Sequence, residues 1–327
     1  MWLTARAPFL WSSWLARLHG SGVSNTKGVA LGDGTALDYA TWSQRLRTHF
    51  ERLYYIPADP EHDSQFVVDQ RYVNLRGMLK DTLGSAHGWS DYQLRPNQAV
   101  ALALAPELVS PRHAQAALAQ VERLMGPGQL GMKTLDRDDM AYRGDYDNNS
   151  QADASVAKGF NYHQGPEWVW PLGYYLRARI NFPPLSVVER PGDKPTSAGA
   201  RTTLAGAGAG AGAGTDDSAA ILAGASPSAG RLYQWLMAVV QPHRAHLSAS
   251  ASGGLPELTN HDGPWLWVAC AFLCCSPHPS LVVLRPGTFC EHSCVVQAWS
   301  SATLVDAVFD LISVVGGSSE AVGAAHA

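Results

Sequence analysis

One arrangement recurs along the chain: a polar stretch rich in aromatic rings sits beside an apolar run with helical spacing. GWSDYQLRPN leads into QAVALALAPEL, a run apolar enough to be a buried helix, and GQLGMKTLDRDDMAYRGDYDNNS follows the helical pattern of RHAQAALAQVERLM. GFNYHQGPEW, residues 159 to 168, opens onto VWPLGYYLRARI, where Leu172, Tyr175, Leu176 and Ile180 fall near helical spacing. GGLPELTN at 253 to 260 is a fourth polar loop, after a helix read through Leu232, Trp235, Leu236 and Val239. Helix pairs that carry a polar loop at the same end of each point to a helical toroid, with the loops turned into one funnel and the helices as support.

The rest of the chain reads as scaffold. Trp11, Trp14, Leu15 and Leu18 mark a helix over residues 8 to 19, and Tyr39, Trp42, Leu46, Phe50 and Leu53 mark another that Pro57 ends. Residues 58 to 83 are polar and irregular, a surface loop with Arg71 and Arg76. Ser110-Pro111 is a cap followed by proline at the first helical position, and Gly126-Pro127 stops that helix. Residues 196 to 230 form a Gly/Ala/Ser insertion without the apolar surface to order itself. One discontinuous domain over 1–195 and 231–314 is expected, with a disordered tail at 315–327.

With 46% hydrophobic residues in 327, the chain has material for a large core. Charged residues are only 16% and the net charge is -4, which excludes a nucleic-acid-binding protein built on clustered Lys and Arg. The first residues, MWLTARAPFLWSSWLARL, lack a basic start, a continuous apolar core and a small-residue cleavage site; they read as a helix rather than a signal peptide, and a cytoplasmic location is the default. Residues 264 to 287 are apolar but broken by SPHPS, short of the roughly 20 continuous residues a membrane span needs. All five cysteines lie between 270 and 294, an odd number that does not make a secreted disulfide framework. Cys290, His292 and Cys294 lack a second ligand pair for zinc, so buried inert thiols and no metal are expected.

Candidate site residues come from the loops. Phe160, Tyr162 and Trp168 offer flat rings for the C–H faces of a sugar, while Asn161, His163, Gln164 and Glu167 offer the directional hydrogen bonds hydroxyl groups need; the same composition also suits a loop that caps a helix with its aromatics in the core. Arg95 and Asn97 stand at the mouth of an apolar helix, where an unpaired polar group costs on the order of 2 to 7 kcal/mol. Arg95 is therefore either a ligand-binding group or a structural arginine paired with a carboxylate. The aspartates from Asp136 and Asp138 to Asp147 do not follow the order of an EF-hand loop. Glu257, after Gly-Gly and Pro256, is either a general base or a cap for the following turn.

Taken together, SDYQLRPN, GMKTLDRDDMAYRGDYDN, KGFNYHQGPEWVWPLGYYLRA, GLPELTN and QAWSSATL resemble the C-terminal amylo-α-1,6-glucosidase region of glycogen debranching enzymes, in the same order over most of residues 8 to 310. The resemblance implies an all-α, glucoamylase-like (α/α)6 toroid, incomplete at its N-terminus, and inverting hydrolysis of the α-1,6-linked glucose at a trimmed glycogen or limit-dextrin branch, without a cofactor. It implies Glu257 as the base, with Arg95, Asn97, Asp136, Asp138, Tyr162, His163, Gln164, Glu167 and Trp168 on the loops that hold the glucose. It places the general acid in an upstream Trp-Met-Asp stretch that does not occur in these residues, and a 4-α-glucanotransferase half further upstream, so that the remainder of such an enzyme would be the chain's partner. Residues 264 to 287 separate segments that lie close together in the family and are expected to be an insertion. A glucan-binding module without chemistry is the alternative.

Overall fold

A computed structural model describes residues 28–30, 32–126, 129–188, 227–250, 252–260, 288–289 and 293–315. The expected helix at 8–19, most of the Gly/Ala/Ser insertion, the segment 264–287, four of the five cysteines with His292, and the tail from 316 lie outside the described residues.

The described chain is mostly helical. A short hairpin of β1 (Gly28–Ala30) and β2 (Ala36–Asp38) leads into α1 (Tyr39–Tyr54). Asp38 caps α1: its carboxylate accepts from the Thr41 amide at 2.8 Å. The helix ends where Tyr55 and Ile56 extend into β3, two residues before the expected stop at Pro57, and β3 pairs antiparallel with β4 (Met78–Leu79). The stretch 58–83 therefore differs from a plain surface loop. Its first part does lie outside, with Arg71 paired to Asp69 at 2.6 Å and Arg76 to Asp63 at 2.8 Å. Its end runs through the core, because the Leu79 amide donates to Gln98 Oε1 at 2.9 Å and Met78, Leu79 and Lys80 are buried.

A single turn, α2 (Gly88–Asp91), precedes α3 (Asn97–Leu104), the expected buried helix; Ala105 and Pro106 end it. In α4 (Pro111–Val121) the Ser110 side chain makes no capping bond, and the Glu51 carboxylate of α1 accepts from the Ser110 amide at 2.7 Å instead. The cap is supplied across the fold rather than locally, and it fastens α1 to α4.

At the centre lies α5 (Trp170–Asn181), packed against α3 on one side and α8 (Ala298–Val315) on the other. Asn181 donates to the carbonyls of Leu102 and Ala103 at 3.1 and 2.9 Å, satisfying acceptors that the end of α3 leaves open. Arg177 pairs with Asp310 at 2.6 Å, and the Thr303 hydroxyl donates to the Trp170 carbonyl at 3.0 Å, so both ends of the α5–α8 contact are tied. By length and composition α8 is apolar enough to cross a membrane, but Ser300, Thr303, Leu304, Ala307 and Leu311 on one of its faces are buried.

The short α6 (Leu185–Val188) packs on α7 (Pro227–Ala249), which starts inside the residues expected to be disordered insertion: Leu232, Leu236 and Val240 bury a stripe that carries helix back to Pro227. On α7, His243 is buried and its Nε2 donates to the Leu130 carbonyl at 2.5 Å. Burial holds this imidazole below its usual range. A depressed folded pKa contributes stability that is present above the unfolded value, about 6.5, and is lost as pH falls through the folded one. The melting temperature should fall on acidification below about 6.5, and His243→Gln, which keeps an N–H for Leu130, should shrink that fall. Melting curves at pH 7.5 and 5.5 check this; an equal fall in both proteins would refute it.

The loops depart from the all-helical expectation. They pair as four short antiparallel strands in the order β5 (Met132–Lys133), β6 (Glu167–Trp168), β7 (Leu258–Asn260) and β8 (Thr288–Phe289), with Met132 opposite Trp168 and Glu167 opposite Thr259. Backbone groups in buried loops need partners, and these loops supply them to one another.

Candidate functional site: an aromatic cleft beside the loop sheet

The loop sheet and the start of α5 form one wall of a cleft of about 400 Å³. Trp168, Trp170, Tyr174 and Trp299 supply its rings; Asp81, Thr82, Arg95, Asn97, Thr134 and His163 supply its polar groups. Trp170 stacks on Trp299 with ring centroids 4.8 Å apart, and Tyr174 meets Trp170 edge-on at 5.8 Å. Trp299 keeps 44% of its surface exposed, so it offers a ring to a ligand as well as to its neighbour. Stacked indoles beside convergent polar groups form the usual composition of a small-ligand site.

The strand geometry of β6 sorts two candidate residues. Neighbouring side chains on a strand point to opposite faces. Trp168 lines the cleft, whereas Glu167 has no exposed surface, takes hydrogen bonds from Gln129 and from the Thr259 hydroxyl (3.1 Å), and lies 4.0 Å from Lys133 Nζ. Glu167 braces the sheet from behind. Asp136 and Asp138 are likewise turned away from the cleft lining: both accept from Arg123 Nη2, at 3.2 and 2.8 Å, and Asp138 is largely exposed. This pairing ties their loop to the turn that ends α4.

Arg95 resolves into the structural alternative. A guanidinium has five N–H donors. Nε and Nη2 donate to Gln93 Oε1 at 3.2 and 2.8 Å, Nη1 donates to the carbonyls of Thr134 (3.0 Å) and His163 (2.5 Å), and Nη2 also reaches Gln164 Oε1 at 2.5 Å. Every donor is spent on holding three loops in register. Gln164 belongs to the same clamp, and its backbone carbonyl accepts from the Arg143 amide at 2.7 Å. In the sharp turn beside it, a side chain on Gly165 would stand 2.2 Å from the Arg143 carbonyl oxygen, so only glycine fits.

Glu257 stands just before β7. Its carbonyl accepts from the Val169 amide at 3.1 Å, which fixes it alongside the two cleft residues Trp168 and Trp170. Two donors orient its carboxylate, Gln297 Nε2 at 3.0 Å and the Cys294 amide at 3.3 Å, and its charge acts on the neighbouring Tyr162 phenol. Burial and the Glu257 charge hold the Tyr162 phenol well above its usual range, so it stays a donor. Tyr162 packs at 4.8 Å against both Tyr146 and Trp168. His163, 4.8 Å from the Trp168 ring, is held below its usual range by desolvation and by Arg95, against the opposing pull of Glu257, and is neutral near pH 7. Phe160 is 78% exposed and outside the cleft lining.

The structure thus brings Asn97, His163, Trp168 and Arg95 into the cleft lining, Arg95 with its donors spent on the loops, sets Tyr162 and Glu257 next to that lining through Trp168 and Val169, and puts Gln164, Glu167, Asp136 and Asp138 into its supports. It adds Asp81, Trp170, Tyr174 and Trp299, which carry no local signal beyond residue type. The described cysteine, Cys294, is exposed rather than buried, and among the described residues no group of His, Cys, Asp and Glu has the arrangement of a metal site.

Comparison with known proteins shows the family. The pattern of the amylo-alpha-1,6-glucosidase family matches residues 10–191. The glycogen debranching enzyme of Saccharomyces cerevisiae (strain ATCC 204508 / S288c) is 34% identical over 296 residues, which cover 90% of this chain and 16% of the yeast protein. The chain therefore spans about a sixth of that relative, and on the family match over more than half its length it belongs to the amylo-alpha-1,6-glucosidase family.

Proposed function

We propose that the cleft takes the single α-1,6-linked glucose at a trimmed glycogen or limit-dextrin branch and that Glu257 is the general base of its inverting hydrolysis. The observation that carries this reading is the placement of Glu257: a carboxylate oriented by two donors, on a residue whose carbonyl is bonded to Val169, between two tryptophans of a cleft wall that suits the faces of a sugar ring. In inverting hydrolysis the base takes a proton from water attacking the anomeric carbon, while a carboxylic acid roughly 6.5 to 9.5 Å away protonates the departing glycosidic oxygen. The acid is assigned to an aspartate of the upstream stretch named by the family resemblance. No cofactor takes part, and the setting is the (α/α)6 toroid of a larger cytoplasmic debranching enzyme.

The test is release of glucose from a singly 6-branched limit dextrin by this chain and by a version extended upstream through that stretch. Glucose released by the extended chain first as the β-anomer is the expected result. Release of the α-anomer would remove the inverting assignment. Folded protein that binds the dextrin but releases nothing in either form would move the reading to a glucan-binding module.

A further inference from the structure

We propose that Asp81, shouldered by Asn97, is a substrate-binding residue of the cleft and accepts a hydroxyl of the bound glucose, in the place that Arg95 would otherwise be expected to fill. The inference rests on the glucosidase reading above. It starts from the donor count at Arg95: all five N–H groups point at loop acceptors, and its Nε lies 3.8 Å from Asp81 Oδ2, beyond hydrogen-bond reach. Asp81 Oδ1 accepts from Asn97 Nδ2 at 2.8 Å. That leaves Oδ2 without a hydrogen bond in a residue that lines the cleft together with Asn97, while the Asp81 side chain is only 11% exposed.

A carboxylate withdrawn from water and only half satisfied is costly. The Asp81 carboxyl reflects this: burial pushes its pKa up to about 6, with Arg95 and the Asn97 bond pulling against it and the charge of Asp91 adding to it. A purely structural ion pair would be arranged the other way, with Arg95 turned to meet it. The pair matches one feature of a pyranose, two adjacent hydroxyls. One hydroxyl donates to Asp81 Oδ2, and its neighbour accepts the second N–H of Asn97 Nδ2, while the tryptophans take the ring face. Asp81 is placed for this by the backbone just after β4, where its amide donates to the Asp91 carbonyl at 2.8 Å.

The experiment is calorimetric titration of isomaltose and of its monodeoxy analogues, lacking one hydroxyl each of the non-reducing glucose, into this chain and into Asp81→Asn. Hydrogen bonds to a charged group are strong enough that D81N should bind isomaltose ~10- to 100-fold more weakly. Wild-type affinity should fall as pH drops through about 6, the ionised form being the acceptor, and D81N should show no such limb. His163 lines the same cleft and is present in both proteins, so a limb of its own would survive in D81N. One deoxy analogue should lose affinity for the wild type and little more for D81N. The D81N melting temperature should not fall, because the change removes a desolvated charge. Equal isomaltose affinity in the two proteins would overturn the inference and leave the glucosidase reading standing. A D81N protein that melts lower and weakens toward all analogues alike would make Asp81 a brace, and would also overturn it. Folded wild type that binds no isomaltose would remove the glucosidase reading itself and this inference with it.

Discussion

Glu257→Gln, in a form of the enzyme that hydrolyses the branch glucose, is expected to lower kcat by roughly 10²- to 10⁴-fold, the usual contribution of a positioned general base. The amide is the same size, and Gln297 and the Cys294 amide stay in place to hold it. Substrate binding should therefore survive. One donor meets each carboxylate oxygen, so the new –NH2 will face a donor in either orientation; a loss of about 1 to 3 kcal/mol in stability is expected from that mismatch. The kinetic loss must exceed anything that partial unfolding explains, which the bound fraction at saturating substrate measures directly. Azide supplies a second readout. It needs no base, so it should restore turnover in the variant by attacking the anomeric carbon with expulsion of the glycosidic oxygen, giving the β-glucosyl azide. Undiminished glucose release by E257Q would end the assignment.

Helices were legible in the sequence where burial has a period. The stripe in α1 through Leu46 and Phe50 and that in α5 through Leu172, Tyr175, Leu176 and Ile180 both lie where the spacing puts them. The strands were not legible, because runs of two or three residues are too short for a period of two to show, and their pairing is decided by what lies across the sheet. Glu167 shows the consequence. Read as part of GFNYHQGPEW it shares a loop with His163 and Trp168; in the structure, a register opposite Thr259 turns it to the far face of a sheet.

The site divides along the same line. Residue type alone singled out Trp168 and Tyr162 as rings for a ligand, whereas it left Glu257 as either a base or a cap and only the family resemblance favoured the base. Arg95 and Asp81 needed geometry. The partners of Arg95 come from positions 93, 134, 163 and 164, and nothing in a linear reading says that four acceptors converge on one guanidinium. Asp81 follows a stretch whose surface character is set by Arg71 and Arg76, yet three residues before it the chain has entered the core through Met78. A buried carboxylate was therefore hidden at the end of a polar segment.

Gly173→Ala should be strongly destabilising, although it adds a single methyl group. A Cβ there would stand 2.2 Å from the Thr303 carbonyl oxygen and 2.3 Å from its carbon, both backbone atoms of α8 that no rotamer change can move. Alanine would add about 1 kcal/mol of helix propensity to α5. Against that, overpacking usually costs about 1 to 3 kcal/mol and more when the obstacle is backbone, so a net loss of about 3 kcal/mol is expected. Urea unfolding measures it, with Gly32→Ala, where an added Cβ meets nothing within 4 Å, as a control that should change stability by no more than about 0.5 kcal/mol. The loss should reach the cleft as well. To clear the methyl, α8 must back away from α5, and the Trp170–Trp299 stack and the Thr303–Trp170 hydrogen bond both span that contact. Quenching of tryptophan fluorescence by a soluble quencher should rise in G173A before global unfolding begins. A variant that unfolds at the wild-type urea concentration would mean that α5 and α8 are not in backbone contact at this position, and the aromatic wall would then need another support.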